Sequence, residues 1–396
     1  MRTLDAFQPS AIRKIHDRAQ ALRAADPQRT LIPLHFGESD LGTPDFIVEA
    51  GCRALRDGAV FYEDNSGRRD LKETLADHYT SHRGAVLHPD QIVLSCGGVQ
   101  AILLTMLGLV EPGDDVFVIT PAWPNLAETA RIAGGVVHEI ALHFSNEDNT
   151  FSLDLDRLAH AMDAATRPRV VVINTPSNPT GWVASNVVRH DLLNLCRRYG
   201  AHLLADEMYD RILFDGAAQP TILSFDGEDL SEVTVINGFS KTYCMTGWRL
   251  GYLITQPDRA AGLARMQEFV TSHAPSMAQV AAITALRDGE TFIRNALARY
   301  AAARALALER LASIEGVTVP IPQGAFYLFF QVPGASDSVS FCQRLLEEAG
   351  VALAPGAAFG RSGEGWLRLC FATRPQRLAE ALDRLDTFVT RHSTAP

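Results

Sequence analysis

The sequence predicts an α/β fold: a large domain with a mostly parallel seven-stranded sheet covered by helices, plus a smaller α+β domain built from both chain ends. Three observations predict it. Seven compact apolar runs of strand length lie between residues 91 and 254, with helical patterns between them. Their nearly unbroken apolar character suits strands buried on both faces, as in a parallel sheet sandwiched by helices. Beyond about residue 275 the pattern changes to long helices and shorter extended pieces.

QIVLS (91–95) opens the series as a strand, and GGVQAILLTMLGLV (97–110) follows as a helix entered through glycines. EPGD (111–114) is a turn before the strand DVFVI (115–119). NLAETARIAG (125–134) is helical and VVHEI (136–140) extended. DLDRLAHAMD (154–163) is a helix with an aspartate near its start, where a negative charge suits the helix dipole. VVVIN (170–174), HLLAD (202–206), VTVIN (233–237) and LGYLI (250–254) complete the strands. The second unit begins with the Ala/Arg-rich helix at 291–314. It continues through the extended pieces AFYLFF (325–330), VALAP (351–355) and WLRLCF (366–371), with helices between and after. The first 44 residues hold a helix candidate but too little apolar surface for a domain of their own, so they are expected to dock on the C-terminal unit. The expected division is 45–289 for the large domain, with 1–44 and 290–396 for the small one.

Composition narrows the function. With 396 residues, 47% hydrophobic and 21% charged, the chain is globular and large enough for two domains. Lys plus Arg is 36 against 46 for Asp plus Glu, a formal charge of −10 with no dense basic run, which argues against a nucleic-acid partner. The longest strongly apolar stretch, Ala101 to Val110, is half of the roughly 20 residues a membrane-spanning helix needs, so no membrane partner is expected. The N-terminus MRTLDAFQPSAIRKIHDRA has no apolar core and carries acids early, unlike a secretory or transit peptide. Six scattered cysteines without a C-x-x-C pair read as free thiols in a reducing compartment. A soluble, cytoplasmic protein is expected.

Three common constellations are missing. His78 and His82 are spaced i,i+4 but have no Glu between them, so they read as two surface histidines on one helix, and no metal site is predicted. GRSGEG (360–365) misses the G-x-S-x-G spacing, and no G-x-G-x-x-G follows a strand. The informative segment is NGFSKTYCMTGWRLGYLI (237–254). A loop lysine is ordinarily a solvated surface residue, but here Ser240-Lys241 stands between two buried-type strands with Arg249 at the edge of the second. Ligands bind at the carboxyl ends of parallel strands. A lysine beside a hydroxyl and a guanidinium there suits an anionic cofactor held through a Schiff base. The other strand ends agree. NTPSNPTG (174–181) follows one, Asp206 ends another with Tyr209 three residues on, Trp123 lies just past a third, and SCGGVQAI (95–102) is a Gly-rich turn whose helix N–H groups suit a phosphate.

With these residues in view, the chain resembles the pyridoxal-phosphate-dependent aminotransferases of fold type I, class I/II, from GESDLGTPDF (37–46) to WLRLCF. S-K-x-x-x-M-T-G-W-R-x-G at 240–251 carries most of the resemblance. N-P-T-G at 178–181, D-E-x-Y at 206–209, Q-G-A-F-Y at 323–327 and A-P-G-x-x-F-G at 354–360 add to it. The resemblance implies pyridoxal 5'-phosphate as cofactor. It also implies transfer of an amino group from an L-amino acid to a 2-oxo acid, by a ping-pong cycle through a Lys241 aldimine and pyridoxamine phosphate. Asp206 would pair with the ring nitrogen, Tyr209 and Asn178 with the ring oxygen, and Trp123 would stack on the ring. Gly98, Val99, Ser240 and Arg249 would surround the phosphate, joined by Tyr62 from the neighbouring subunit of a homodimer. Arg368 would grip the substrate carboxylate as a bidentate fork, with Gly37, Asn178 and Trp123 beside the substrate.

One residue departs from the family's usual pattern: Gly238 stands where a phosphate-binding serine is usual, three residues before the lysine. The same scaffold also hosts C–S lyases, cyclases and oxidases, so a lyase or other amino-acid-modifying activity is the alternative. The substrate is not legible. Arg13, Arg68 and Arg361 are candidates for a second substrate cation; His35 and Phe359 would equally suit an aromatic or aliphatic pocket, and Glu38 and Asp40 a basic substrate.

Overall fold

The computed structural model describes residues 8–214, 221–225 and 229–393. The first seven residues of the N-terminal segment and the last three of the C-terminal unit, both included in the sequence reading, lie outside the described residues.

In chain order, α1 (Ala11–Ala25) and β1 (Ile32–Pro33) precede α2 (Asp45–Arg56) and α3 (Arg69–Arg83). The central strands and helices follow: β2 (Ile92–Ser95), α4 (Gly98–Leu109), β3 (Asp115–Thr120), α5 (Pro124–Ala133) and β4 (Val136–Ala141). A small hairpin, β5 (His143–Ser145) with β6 (Thr150–Ser152), leads to α6 (Leu155–Ala164), β7 (Pro168–Asn174), α7 (Asn186–Tyr199), β8 (His202–Asp206), β9 (Val233–Gly238) and β10 (Gly251–Ile254). The carboxylate of Asp154 caps α6 by accepting from the Arg157 N–H, as the sequence implied.

The seven strands form one sheet in the order β2-β10-β9-β8-β7-β3-β4. All pairings are parallel except those of β10, which runs against both of its neighbours. Because side chains alternate along a strand, each strand feeds two cores. Ile92, Phe117, Val171, Leu203 and Val235 pack with α2, α3, α6 and α7 on one face. Val93, Val116, Val172, Leu204 and Ile236 pack with α4, α5 and α8 (Pro257–Glu268) on the other. Such two-sided burial explains why the strands read as unbroken apolar runs.

After α9 (Ser276–Asp288), the long α10 (Glu290–Ala312) leads to β11 (Tyr327–Phe330), α11 (Ser338–Ala349), β12 (Val351–Ala352), β13 (Ala354–Pro355), β14 (Leu367–Cys370) and α12 (Pro375–Ser393). VALAP is thus two short strands rather than one. β12 pairs in parallel with β1, and β13 joins the antiparallel β11–β14 pair. Ile15, Ala19, Ile32 and Leu34 from the first 44 residues share a core with Leu311, Leu345, Leu369 and Leu385. The backbone continues that docking: the Leu34 N–H donates to the Ala352 carbonyl, and the Leu34 carbonyl accepts from Cys370. Residues 35–37 are thereby held alongside β14.

One expectation fails. His82 is exposed, but His78 is buried, its ring stacked on that of His82 at 4.7 Å. Burial, helped by the nearby Arg83 charge, presses its pKa down to about 3. The i,i+4 spacing gave no sign that α3 turns the His78 side toward the protein.

Beneath the sheet edge, Arg83 pairs with Asp210 at 2.5 Å, both buried, and Asn237 Nδ2 donates to the same carboxylate at 2.9 Å. The pair ties α3 to the turn after β8. Removing one partner of a buried ion pair strands the other charge, a cost of about 3–5 kcal/mol. Arg83→Met should therefore lower the unfolding free energy from urea titration by an amount of that order, with a matching fall in the midpoint, and Asp210→Asn in the same chain should recover part of the loss. An unchanged midpoint for Arg83→Met would refute this reading of the pair.

Candidate active site

Parallel strands end at one edge, and the singled-out residues gather there. β8 ends in Asp206, β7 in Asn174 ahead of Asn178, β9 in Gly238 ahead of Ser240 and Lys241, and β3 in Thr120 ahead of Trp123. Since β10 runs the other way, it begins at this edge, which brings Arg249 to it. A cavity of about 340 Å³ opens there. Gly37, Gly98, Val99, Trp123, Asn178, Asp206, Tyr209, Ser240, Lys241, Arg249 and Arg368 all line it. Tyr62 does not: it is 89% exposed, with its ring edge-on to His273 at 5.8 Å.

The anion cradle is built from close backbone approaches. Gly97 caps α4 with φ +83°, and a Cβ there would lie 2.5 Å from Arg249 Nη2. Glycine therefore lets the guanidinium lie against the first turn of the helix, where unpaired N–H groups point outward. Arg249 itself is in the left-handed region, with φ +54°. Its Nη1 donates to the Thr246 carbonyl at 2.8 Å and its Nη2 to the Cys96 carbonyl at 3.3 Å, so its position is fixed, and no carboxylate among the described residues pairs with it. Gly238 has a local reason. A Cβ on it would come within 3.0 Å of Gly251 Cα, 3.1 Å of the Leu250 carbonyl oxygen and 3.3 Å of Met208 Cε. With β9 and β10 this close and the Met208 methyl above, a serine would have to displace its neighbours.

Asp206 is buried, and its Oδ1 accepts the Met208 N–H at 3.1 Å. Burial raises its pKa to about 6, against the opposing pull of that hydrogen bond and of Lys241. Lys241 reaches the cavity, and its Nζ donates to the Gly37 carbonyl at 2.6 Å. Enclosure of the amine, with Arg368 and Arg249 nearby, lowers its pKa to about 8 even though Cys370 and Glu38 oppose the shift. A share of the amine is therefore neutral near pH 8, as a nucleophile or proton carrier must be. The Tyr209 and Tyr327 hydroxyls are 2.6 Å apart, and burial and this pairing hold Tyr209 as a neutral phenol well beyond the usual tyrosine range.

Arg368 is 2% exposed. Its Nη1 donates to Asn178 Oδ1 at 2.9 Å and its Nη2 to the His35 carbonyl, and it lies over the rings of Tyr327 (4.5 Å) and Phe359 (4.9 Å). Its Nε has no hydrogen-bond partner, and no carboxylate among the described residues pairs with it. A buried, immobilised guanidinium without a counter-charge, opening on a cavity, is built to receive a carboxylate.

Several site residues escaped the sequence reading. Asn174 Nδ2 donates to the Asp206 carbonyl at 3.0 Å and its Oδ1 accepts the Asn178 N–H at 2.7 Å, so it sets the spacing of two predicted site residues. Its place at the end of VVVIN was the available signal. Tyr327 was quoted in a motif without a role. A Cβ on Gly37 would lie 2.0 Å from its hydroxyl, so Gly37 is needed for Tyr327 to reach Tyr209. Phe36, which no local pattern marked, also lines the cavity, beside the Arg13 that the sequence had named as a candidate cation.

The family model for aminotransferase class I and II matches residues 29–385. The chain is 36% identical to the aspartate aminotransferase of Thermotoga maritima, over 91% of this chain and 91% of that protein. It is 33% identical to aromatic-amino-acid aminotransferase 2 of Thermococcus litoralis, over 97% and 96% of the two chains. Among solved structures, the aspartate aminotransferase from Thermus thermophilus with maleate superposes with a TM-score of 0.89 at 32% identity, covering 98% of this chain and 100% of that one.

The raised carboxyl of Asp206 has a stability consequence with a definite sign. Between the unfolded value of about 3.9 and the folded value of about 6, the folded chain holds more protons, so stability falls as pH rises and the penalty is complete above 6. Asp206→Asn should therefore raise the melting temperature of the ligand-free protein at pH 9, where the Lys241 amine is mostly neutral. That gain should shrink as pH falls from 6 toward 4. A gain of equal size at both pH values in differential scanning calorimetry would show that ionisation of Asp206 is not its cause.

Proposed function

The chain belongs to the class I and II aminotransferases, and from that premise we propose that the cavity at the sheet edge is its active site, with Lys241 as the catalytic amine, Asp206 as the cofactor anchor and Arg368 as the carboxylate clamp. The enzyme moves an amino group from an amino acid to a 2-oxo acid in two half-reactions. The observation that carries the site assignment is the unanswered charge in one enclosure: a buried carboxylate, an enclosed amine and a buried guanidinium, none in a salt bridge among the described residues.

Pyridoxal 5'-phosphate fits these residues. When bound, it supplies an aldehyde for amine condensation and an electron-poor ring that accepts charge from the substrate α-carbon. Arg249, Ser240 and the N–H groups of Gly98 and Val99 would hold its phosphate. Asp206 would keep a proton on the ring nitrogen, a task for which its desolvated carboxylate is already prepared. Tyr209 and Asn178 would hold the ring oxygen and Trp123 would cover one face. Gly238 brings no hydroxyl to the cradle, whose side-chain donors in this reading are Ser240 and Arg249. Arg368 binds the substrate carboxylate and so orients the α-carbon, and Lys241 takes the α-proton and returns it. In the ligand-free chain the Gly37 carbonyl accepts from the lysine amine at 2.6 Å.

A homodimer with shared sites is part of the proposal. Phe61 and Tyr62 are 78% and 89% exposed, and Phe269 is 86% exposed. Hydrogen bonds from Ser276 Oγ to the Phe61 carbonyl and from Asn65 Nδ2 to Glu268 fix the 61–65 segment against the 268–276 region. So much fixed, exposed aromatic surface supports a subunit interface through which Tyr62 reaches the neighbour's phosphate site. The partition into 45–289 and the two chain ends is read as the domain division, with Lys241 on one side and Arg368 on the other. The six free thiols support a reducing, cytoplasmic setting.

Three experiments test this reading. The protein loaded with pyridoxal phosphate and mixed with an amino acid, without an oxo acid, should release one equivalent of 2-oxo acid and leave pyridoxamine phosphate; sustained ammonia release would favour a lyase instead. Lys241→Ala should lose both the lysine-linked visible band and turnover, and retention of either would overturn the assignment of Lys241. In light scattering the protein should be a dimer, and Tyr62→Ala should weaken cofactor retention; a fully active monomer would defeat the shared site.

A further inference from the structure

Lys241 stands between two cavities. One is the sheet-edge cavity already described. The other, of about 530 Å³, is bounded mainly by residues 38–43 and 240–248. Ser240, Lys241 and Thr246 line both, whereas Gly37, Asp206 and Arg368 line only the first and Glu38 and Cys244 only the second. On the reading above, cofactor and substrate occupy the first cavity. The second has room for several waters, at about 30 Å³ each, and leaves the lysine a side that the reactants do not take.

Glu38 is the one carboxylate among the described residues that line this second cavity, and it is exposed. It directly follows Gly37, whose carbonyl accepts from the Lys241 amine at 2.6 Å. One carboxylate oxygen, Oε1, accepts from the Thr246 hydroxyl, and the Glu38 carbonyl accepts from Cys370 Sγ at 3.6 Å. Side chain and backbone are thus both fixed beside the lysine loop. Among the described residues Glu38 makes no salt bridge and its second oxygen accepts no hydrogen bond, so that oxygen is left for water. The other ionisable groups around the amine are poor proton carriers to this side. Asp206 faces the first cavity, and Arg249 and Arg368 do not release protons at neutral pH. Burial pushes the thiols of Cys244 and Cys370 and the phenols of Tyr209, Tyr300 and Tyr327 up, so these keep their protons. The Glu38 charge, by contrast, acts on Lys241 against the effect of burial.

We propose that Glu38 is the group through which Lys241 exchanges its proton with water, by way of the second cavity. This rests on the aminotransferase reading, in which Lys241 takes the α-proton of the substrate and becomes an ammonium. One N–H bond of that ammonium breaks and an O–H bond forms on Glu38, directly or across one water. The carboxyl then gives the proton to bulk water, and the reverse sequence reloads the amine. Glu38 touches neither cofactor nor substrate and acts through Lys241. Because the exchange runs outside the substrate cavity, the proton that Lys241 returns comes from solvent and not from the α-carbon.

The test reads isotope content, which a general loss of activity does not change. The holoenzyme reacts in ordinary water, in a single turnover, with L-aspartate, L-glutamate, L-phenylalanine or L-leucine deuterated at Cα. Mass spectrometry then gives the deuterium carried to C4′ of the pyridoxamine phosphate formed. The wild type should carry over little. A positioned base speeds proton transfer by roughly 100-fold or more, so Glu38→Gln should let most of the deuterium through. Glu38→Ala should do the same, and added acetate, a small carboxylate that the emptied position admits, should lower the carry-over again. In the cofactor-free chain, acylation of Lys241 should show a pH midpoint near its value of about 8, and Glu38→Gln should move that midpoint lower, because a nearby negative charge favours the ammonium. Equal carry-over in the wild type and Glu38→Gln, a wild type that passes on most of its deuterium, a rise that acetate leaves in place, or an unmoved acylation midpoint would each overturn the proposal. A wild-type holoenzyme that forms pyridoxamine phosphate from none of the amino acids would instead bring down the aminotransferase reading, and this inference with it.

Discussion

The structure is organised around charge that is enclosed without being neutralised. Asp206, Lys241 and Arg368 face one cavity, and each has hydrogen bonds that fix its direction but, among the described residues, no salt bridge. Enclosing such groups costs free energy. The surrounding scaffold holds that cost in place: Asn174 spaces Asp206 from Asn178, Gly37 caps the lysine, and the Tyr327 and Phe359 rings cover Arg368. A ligand that brings a ring N–H, a carbonyl carbon and a carboxylate relieves all three groups together. Affinity and catalysis thus draw on the same stored electrostatics.

The single antiparallel strand is what completes the enclosure. Were β10 parallel to its neighbours, its first residues would lie at the far edge of the sheet and Arg249 with them. Reversal places Gly251 opposite both Ser95 and Gly238. The lack of side chains at Gly97, Gly238 and Gly251 then allows three backbone segments to meet where the anion cradle forms. The departure at Gly238 belongs to this packing, not to an isolated change in ligand chemistry.

Much of this was legible because it is local. Two-sided burial writes itself as apolar runs, so the seven strands could be read, and residues just past strand ends could be assigned to one edge by topology. What stayed hidden depends on contacts far apart in sequence. Arg13 meets Phe36 only because β1 pairs with β12 and holds residues 35–37 beside β14. The role of Tyr327 depends on a hydroxyl contact with Tyr209, more than a hundred residues away. The burial of His78 depends on which face α3 turns inward, and the His-x-x-x-His spacing carried no information about that.

The reversal of β10 also bears on the order in which the molecule assembles. Strands β9 and β10 are consecutive and antiparallel, so the loop carrying Ser240, Lys241 and Arg249 is closed by pairing Gly238 with Gly251, a short-range event. Parallel neighbours such as β7 and β8 must wait for a helical crossover, and β14 must find β11 and residues 34–37 across most of the chain. In contact-order terms, the lysine-bearing hairpin belongs to the early, local part of the folding route and the substrate clamp to the late, non-local part. The loop that carries the lysine is thus closed by a local pairing, whereas the helix N–H groups of the anion cradle reach Arg249 only through the distant pairing of Gly251 with Ser95.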